Sequence, residues 1–394
     1  MLHTLYGNSG FLHFGNGIRR SNPSPPTEPQ PPQSVIAFYP TVDTVFPMNE
    51  PSSPSLQWID LRDLGLRGMA WNGEPRENPY DRLPAALKKE LPEGLWRQGI
   101  CSGGLYVDFI ADTPWLYASW DIEGDPPNDP FTAPAGQTGV DLYGQNENGH
   151  WAWIGAQAYP DDQNSPAPLN RHPLAAGSRR YRLYLPLRRR TTKASLGLPK
   201  ECPAPPAVPA PTKYIAYYGT SIVHGAGVSR AGLSHASQIG RGLAPELKNL
   251  GFCGTAKLEP EMAEMLAKLD PRLFIIDPLP NNTAPELTEK LPRFLEILRH
   301  QRPQTPILLL GDRQFGDSTF LPQRLLDYEE KNTALRNVFA QLPENDPTHL
   351  HIDDNWYGAD FEGTSDASHP NDLGASHMAE TLLPIIRELL DLQE

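Results

Sequence analysis

Two short stretches carry residue types that can do chemistry together. Gly219-Thr220-Ser221-Ile222 puts a serine just after a tight strand-ending turn, with its hydroxyl exposed and its backbone N–H at a helix start. From there a hydroxyl can attack an electrophile once a base takes its proton. Ser at that place is also a good helix N-cap, so the triplet alone leaves both roles open. Near the other end, Asp366-Ala367-Ser368-His369-Pro370 sets a carboxylate three residues before an imidazole, on a loop stopped by proline. Folded back, the carboxylate orients the ring and supports the imidazolium formed when the ring accepts a proton. The plainer reading is an Asp in a turn beside an exposed His.

The elements that must position these residues alternate between strand and helix. YIAYYG (Tyr214–Gly219) reads as a short buried strand ending in the turn before Ser221. LEPEMAEMLAKL (258–269) has helical spacing, RLFIIDPL reads as a strand, and APELTEKLPRFLEILRHQ as a helix interrupted by Pro292. PILLLGD is a further buried strand, 328–341 a helix, THLHIDD a strand, and about 376–392 a last helix. That order gives a parallel sheet with helices on both faces. In such sheets the active site lies beyond the carboxyl ends of the strands, where Ser221 falls.

The preceding part looks all-β. LYVDFIAD (105–112) and WLYASWDI (115–122) are rich in aromatic and β-branched residues, with a turn at Thr113-Pro114. Asn-Glu-Asn-Gly in GVDLYGQNENGHWAWIGAQAY is a hairpin signal, and YRLYLPL (181–187) alternates again before KASLGL. Several short strands without a long helical pattern predict a sandwich or jelly roll. Arg188-Arg189-Arg190 reads as a solvated hairpin loop, the usual place for a short charge run.

Proline divides the chain. Six prolines lie between Pro23 and Pro32 and six more between Pro199 and Pro211. Both stretches lack donors and have fixed φ, so they read as an extended tail and a semi-rigid linker. The expected organisation is a poorly ordered tail at 1–54, a β-domain at 55–198, a linker at 199–211 and an α/β domain at 212–394. The first 20 residues show no continuous apolar run of the signal-peptide kind. The 394 residues carry 34 Lys and Arg against 47 Asp and Glu, a net charge of -13, which argues against nucleic-acid binding. No apolar run reaches the roughly 18–20 residues of a membrane span. Cys101, Cys202 and Cys253 lack both a disulfide framework and metal-ligand spacing.

Taken together, GTSIVHG near the start and DASHPNDLG near the end of the α/β part resemble the SGNH hydrolases, also called GDSL-type esterases. Asn249-Leu250-Gly251-Phe252-Cys253-Gly254 resembles the family's second block and Asp277-Pro278-Leu279-Pro280-Asn281 its third. GVDLY (Gly139–Tyr143), PYDRLP and YRLYLPL resemble the GxDLY β-domain that precedes the catalytic domain in one bacterial branch. The resemblance implies a flavodoxin-like α/β catalytic domain behind a β-sandwich. It implies Ser221 as nucleophile, His369 as base and Asp366 as its orienting partner. It also implies an oxyanion hole from the N–H groups of Ser221 and Gly254 and the amide of Asn281. Three positions depart from the pattern: Thr220 stands where Asp is usual, Thr255 follows Gly254, and Asn282 follows Asn281 as a rival donor, with Pro280 favouring Asn281. The implied activity is hydrolysis of small acyl esters, foremost O-acetyl groups on carbohydrates, with no metal or organic cofactor. The implied partner is a small-molecule or glycan ester; lipid or thioester hydrolysis and non-catalytic glycan binding are the alternatives.

Four other side chains invite a role. His224 lies too close to Ser221 along the chain to reach its oxygen easily; His235 reads as a pocket-wall or helix residue and His377 as packed or solvated. Cys253 reads as a buried packing thiol. Trp151 and Trp153 share one strand face and suit either a sugar surface or the core.

Overall fold

A computed structural model of the chain describes residues 55–125, 129–159 and 167–391. The expected tail at 1–54 lies outside the described residues.

The first half builds two antiparallel sheets from β1 (Leu56–Asp60), β2 (Tyr106–Ala111), β3 (Tyr117–Ile122), β4 (Val140–Gln145), β5 (Trp151–Gln157), β6 (Arg179–Tyr184) and β7 (Thr191–Pro199). One sheet has the order β1-β7-β3, the other β2-β6-β4-β5. Val107, Phe109, Leu142 and Leu183 of the second meet Trp120, Leu196 and Leu198 of the first in one buried cluster. This is the expected sandwich. Two short helices belong to this half of the chain: α1 (Glu93–Gly99), whose Leu95 and Trp96 pack into the core of the parallel-sheet half, and α2 (Pro134–Thr138). The turn at Thr113-Pro114 carries the chain from one sheet to the other, because β2 and β3 pair with different partners. The Asn146–His150 turn does close the expected hairpin, with Gln145 opposite Trp151.

The second half folds as a parallel sheet in the order β12-β11-β10-β8-β9, from β8 (Tyr214–Gly219), β9 (Glu246–Gly251), β10 (Leu273–Asp277), β11 (Ile307–Leu310) and β12 (Thr348–His351). In chain order from β8 this is the 2-1-3-4-5 flavodoxin-like arrangement. The helices are α3 (Ser221–His224), α4 (His235–Arg241), α5 (Pro260–Ala267), α6 (Ala284–Gln301), α7 (Pro322–Phe339) and α8 (Asp372–Leu389). Alternation along β8 sends Ala216 and Tyr218 to the face covered by α5, α6 and α7. Ile215 and Tyr217 go to the face covered by α4 and α8. Each fully buried Leu or Ile in these layers contributes roughly 1.5–3 kcal/mol. Among the described residues no helix is long and apolar enough to cross a membrane.

Pro292 does not interrupt its helix: α6 runs unbroken from Ala284 to Gln301. Pro292 and Thr288, whose carbonyl loses its i+4 donor, are both exposed, so water can replace the missing bond. Thr283 and Glu286 start the helix with a reciprocal capping box.

The β-sandwich meets the parallel sheet through the outer face of β2, β4 and β6. Leu142 of the GVDLY stretch points into the sandwich, while Tyr143 joins Tyr106, Tyr184, Val228 and Ala375 in an interface cluster. Asp141 Oδ2 accepts from the Gly232 N–H at 2.9 Å and lies 3.4 Å from Arg230, and Asp141 Oδ1 accepts from Trp153 Nε1. Residues after β7 are pinned to the same body: Arg67 donates to the carbonyls of Val208 and Pro209, both at 2.7 Å.

Candidate active site

Ser221 begins α3 directly beyond the carboxyl end of β8, the strand where the sheet order reverses. Thr220 caps that helix, its hydroxyl accepting from Ile222 N–H. Only glycine fits before it: a Cβ on Gly219 would stand 2.5 Å from Val223 and 2.8 Å from the Asp277 carbonyl.

His369 arrives on the loop before α8. Tyr357 donates to the Ser368 carbonyl at 2.8 Å, Ser365 N–H donates to the His369 carbonyl, and the Asn371 amide donates to the Thr364 carbonyl. Asp366 Oδ1 accepts from the N–H groups of Ser368 and His369 at 3.0 and 2.7 Å, while its Oδ2 meets His369 Nδ1 at 2.7 Å. The other ring nitrogen, Nε2, lies 2.8 Å from Ser221 Oγ. Serine, imidazole and carboxylate therefore stand in a continuous line of hydrogen bonds, although 148 residues separate the first two. Burial works to raise the Asp366 pKa, but the donors from His369 and Ser368 outweigh it and hold the carboxyl below its ordinary range.

A cavity of about 330 Å³ opens over this line, with Gly254 and Asn281 on its wall. Gly254 has φ +67°, a conformation that favours glycine. The Asn281 amide donates to the Thr255 carbonyl, tying the loop after β9 to the loop after β10. Asn282 is buried away from the cavity and donates to the Pro278 carbonyl at 2.8 Å.

The β-sandwich supplies the opposite rim: Asp129, Phe131, Thr132 and Arg188. Arg188-Arg189-Arg190 is thus no solvated hairpin loop. It joins strands of different sheets, all three residues are half-buried, and Arg190 pairs with Asp81 at 2.6 Å and Glu123 at 2.9 Å. Arg188 stands 3.4 Å from Asp129 at the cavity edge. No spacing in the sequence links Arg188 to Ser221; only the docking of the two sheets brings them together.

Trp151 and Trp153 do not line the cavity. Arg182 lies over Trp151 at 4.9 Å, and Arg230 over Trp153 at 4.5 Å. Cys253 does line it, and burial pushes its thiol up to about 11, which keeps it protonated and a poor nucleophile. His377 sits on α8 outside the cavity.

Residues 212–387 match the GDSL-like lipase/acylhydrolase family, and residues 56–202 match GxDLY, the N-terminus of SGNH-hydrolase-type esterases. The chain is an SGNH/GDSL-type hydrolase. A Bacteroides ovatus protein assigned as a GDSL-like lipase has a similar structure, at 27% identity and TM-score 0.79, over 86% of this chain and 99% of that one. A salicylyl-acyltransferase from a tetracycline biosynthetic pathway follows at 19% identity and TM-score 0.63, over 86% and 96%. A family two carbohydrate esterase from Cellvibrio japonicus gives 17% and 0.52, over 86% and 99%. For these last two the likeness is one of fold. No curated protein matches the sequence.

Two buried histidines of this hydrolase, His224 and His235, hold it together instead of lining the cavity. His224 Nε2 donates to the Leu187 carbonyl at 2.6 Å, and His235 Nε2 meets Tyr217 Oη at 3.0 Å. Burial, with Arg82 near the first and Arg313 near the second, lowers both to about 3. The folded state therefore binds fewer protons than the unfolded chain below the ordinary imidazole range. The stability from these neutral rings is complete above about pH 6.5 and is lost as pH falls toward 3. At pH 5 each ring costs about 2 kcal/mol. Asp141 acts oppositely: burial pushes it up to about 6, and its protonation returns about 1 kcal/mol by pH 5. Through these rings, urea unfolding should give a lower stability at pH 5 than at pH 7. His235→Gln should shrink the difference by about 2 kcal/mol, and an unchanged difference would overturn this account.

Proposed function

We propose that the protein is a serine esterase that removes short acyl groups, foremost acetyl, from carbohydrates. The observation that carries the reading is the Ser221–His369–Asp366 line beneath an open cavity. His369 Nε2 takes the proton of Ser221 Oγ, and the alkoxide adds to the ester carbonyl. The resulting oxyanion is held by the N–H groups of Ser221 and Gly254 and the amide of Asn281. Loss of one such donor costs about 10²–10³ in rate. The tetrahedral adduct then expels the alcohol, which leaves with the proton from His369. Water, deprotonated by His369, next attacks the acyl-serine and releases the acid. We divide the chain at 55–198, 199–211 and 212–394, with the β-domain's Phe131 and Arg188 offered to the leaving alcohol.

Cavity size supports a small acyl group, since about 330 Å³ is at the lower end for ligand sites. One observation favours a longer acyl chain. A second hollow of about 650 Å³ borders Gly254 and Thr255 on another side, with Leu95, Leu258 and Phe294 in its wall. A series of p-nitrophenyl esters separates the two readings. If the acyl group occupies the smaller cavity, kcat/KM should fall about tenfold or more from acetate to octanoate. Rates rising with chain length would replace the deacetylase with a lipid-type esterase. Release of acetate from acetylated xylan or acetylated mannan then tests the carbohydrate itself.

A further inference from the structure

At the opposite end of the parallel sheet from Ser221 lies a crevice of about 440 Å³. It is walled by the β-sandwich, by the end of α4 with the start of β9, and by Pro209–Pro211. Four arginines line it: Arg67, Arg180, Arg182 and Arg241. The one lining carboxylate, Glu246, is already paired with buried Lys248 at 2.8 Å. Behind the arginines a single carboxylate, Asp108, is fully buried and faces three guanidiniums. Arg67 reaches it at 2.8 Å, Arg180 at 2.5 Å, and Arg182 at 2.7 Å with a second bond at 2.9 Å.

The charges do not balance. One carboxylate neutralises one guanidinium, yet Arg67 and Arg182 are each more than nine-tenths buried and Arg180 is one-third exposed. Among the described residues no carboxylate pairs with Arg241, which rests 3.9 Å over the Tyr143 ring. Buried charge without a counter-charge is costly, and an anion in the crevice would offset it. The cluster also carries unmatched donors. The Nε groups of Arg67 and Arg180 are buried and have no protein acceptor. Guanidinium N–H groups in a planar fork suit a carboxylate, sulfate or phosphate better than they suit a neutral group. The net charge of the chain is -13, so this is a local reversal of its overall field.

We propose that this crevice is a binding site for an oxyanion, carried on a ligand up to about the size of a hexose and separate from the Ser221 cavity. Trp151 forms part of the crevice wall and lies under the guanidiniums of Arg182, at 4.9 Å, and Arg180, at 5.7 Å. A six-residue strand separates the levels of the two sites, which puts them about 20 Å apart. The proposal does not depend on the esterase reading.

Calorimetric titration of the full chain at pH 7 and low ionic strength tests it, with inorganic sulfate, inorganic phosphate and D-glucuronate as probes and D-glucose as the neutral control. Low salt is needed because screening weakens such contacts. Saturable one-site binding of at least one oxyanion, and none of glucose, is expected. Binding of sulfate or phosphate alone points to an inorganic ion; binding of glucuronate points to an acidic sugar. Arg180→Gln should weaken binding at least tenfold while hydrolysis of p-nitrophenyl acetate stays within twofold. Gln145→Glu places a carboxylate in the crevice wall. It should raise Tm without ligand and abolish binding, which a merely structural arginine cluster would not require. It also carries the test if Arg180→Gln fails to fold. No saturable heat with any of the three oxyanions, or wild-type affinity in Gln145→Glu, would overturn the proposal.

Discussion

Ser221→Ala is expected to lower kcat for p-nitrophenyl acetate by roughly four to six orders of magnitude. The size follows from the proposed chemistry. Without Oγ no acyl-enzyme forms, and His369 is left with no proton to take from a bound nucleophile. What remains is the cavity's ability to hold a carbonyl near donors, which in triad hydrolases leaves a small residual rate over water. Folding should be unaffected. Ser221 is half-buried at the cavity floor, and the cap of α3 belongs to Thr220. Tm should therefore stay within a degree or two of the parent. A variant with near-parental turnover and an intact fold would remove Ser221 from the mechanism, and the proposed esterase assignment with it.

Much of this was legible because the relevant signals are local. Tyr214–Gly219 is a continuous apolar run ending at a glycine, and the structure makes it β8 with Ser221 next in line. Asp366 and His369 sit three residues apart, so one turn, with Ala367 at φ +64°, is enough to bring carboxylate and ring together. Strand β9 was harder to see. Its residues Glu246, Lys248 and Asn249 are polar yet buried, satisfied by an ion pair and by the Asn249 bond to the Val223 carbonyl. A strand whose polar side chains find partners only in the folded molecule gives no hydrophobic pattern.

The β-domain shows the same limit in another form. Both faces of β2 are covered, one by the sandwich and one by the parallel sheet, so Tyr106 and Asp108 are as buried as Val107 and Phe109. Simple alternation cannot announce such a strand. Arg188-Arg189-Arg190 departs from its sequence pattern for a related reason. A run of like charges in sequence suggests solvent, but Arg190 meets Asp81 from 109 residues away and Arg188 reaches the cavity rim. Those partners are set by tertiary contacts, which spacing does not encode.

The second large effect concerns the pair at the far end of the line. His369→Ala removes the base and should cost about as much as Ser221→Ala, since residues acting as a unit fail together. Asp366→Asn is more informative. Its Oδ1 can still accept from Ser368 and His369 N–H, so the loop should keep its shape. Its amide, however, now faces His369 Nδ1 with a donor where the carboxylate had an acceptor. The ring is driven to carry its proton on Nε2, and a protonated Nε2 cannot accept from Ser221. A fall in kcat of about 10⁴ is expected, with KM little changed. The pH profile adds a second readout. In the parent, activity should fall on acidification, because only the neutral ring accepts a proton. Asp366 should not set that limb, since its carboxyl is held below the ordinary range and stays ionised there. If Asp366→Asn keeps more than a tenth of parental kcat, the carboxylate only shapes the loop, and orientation of His369 must come from elsewhere.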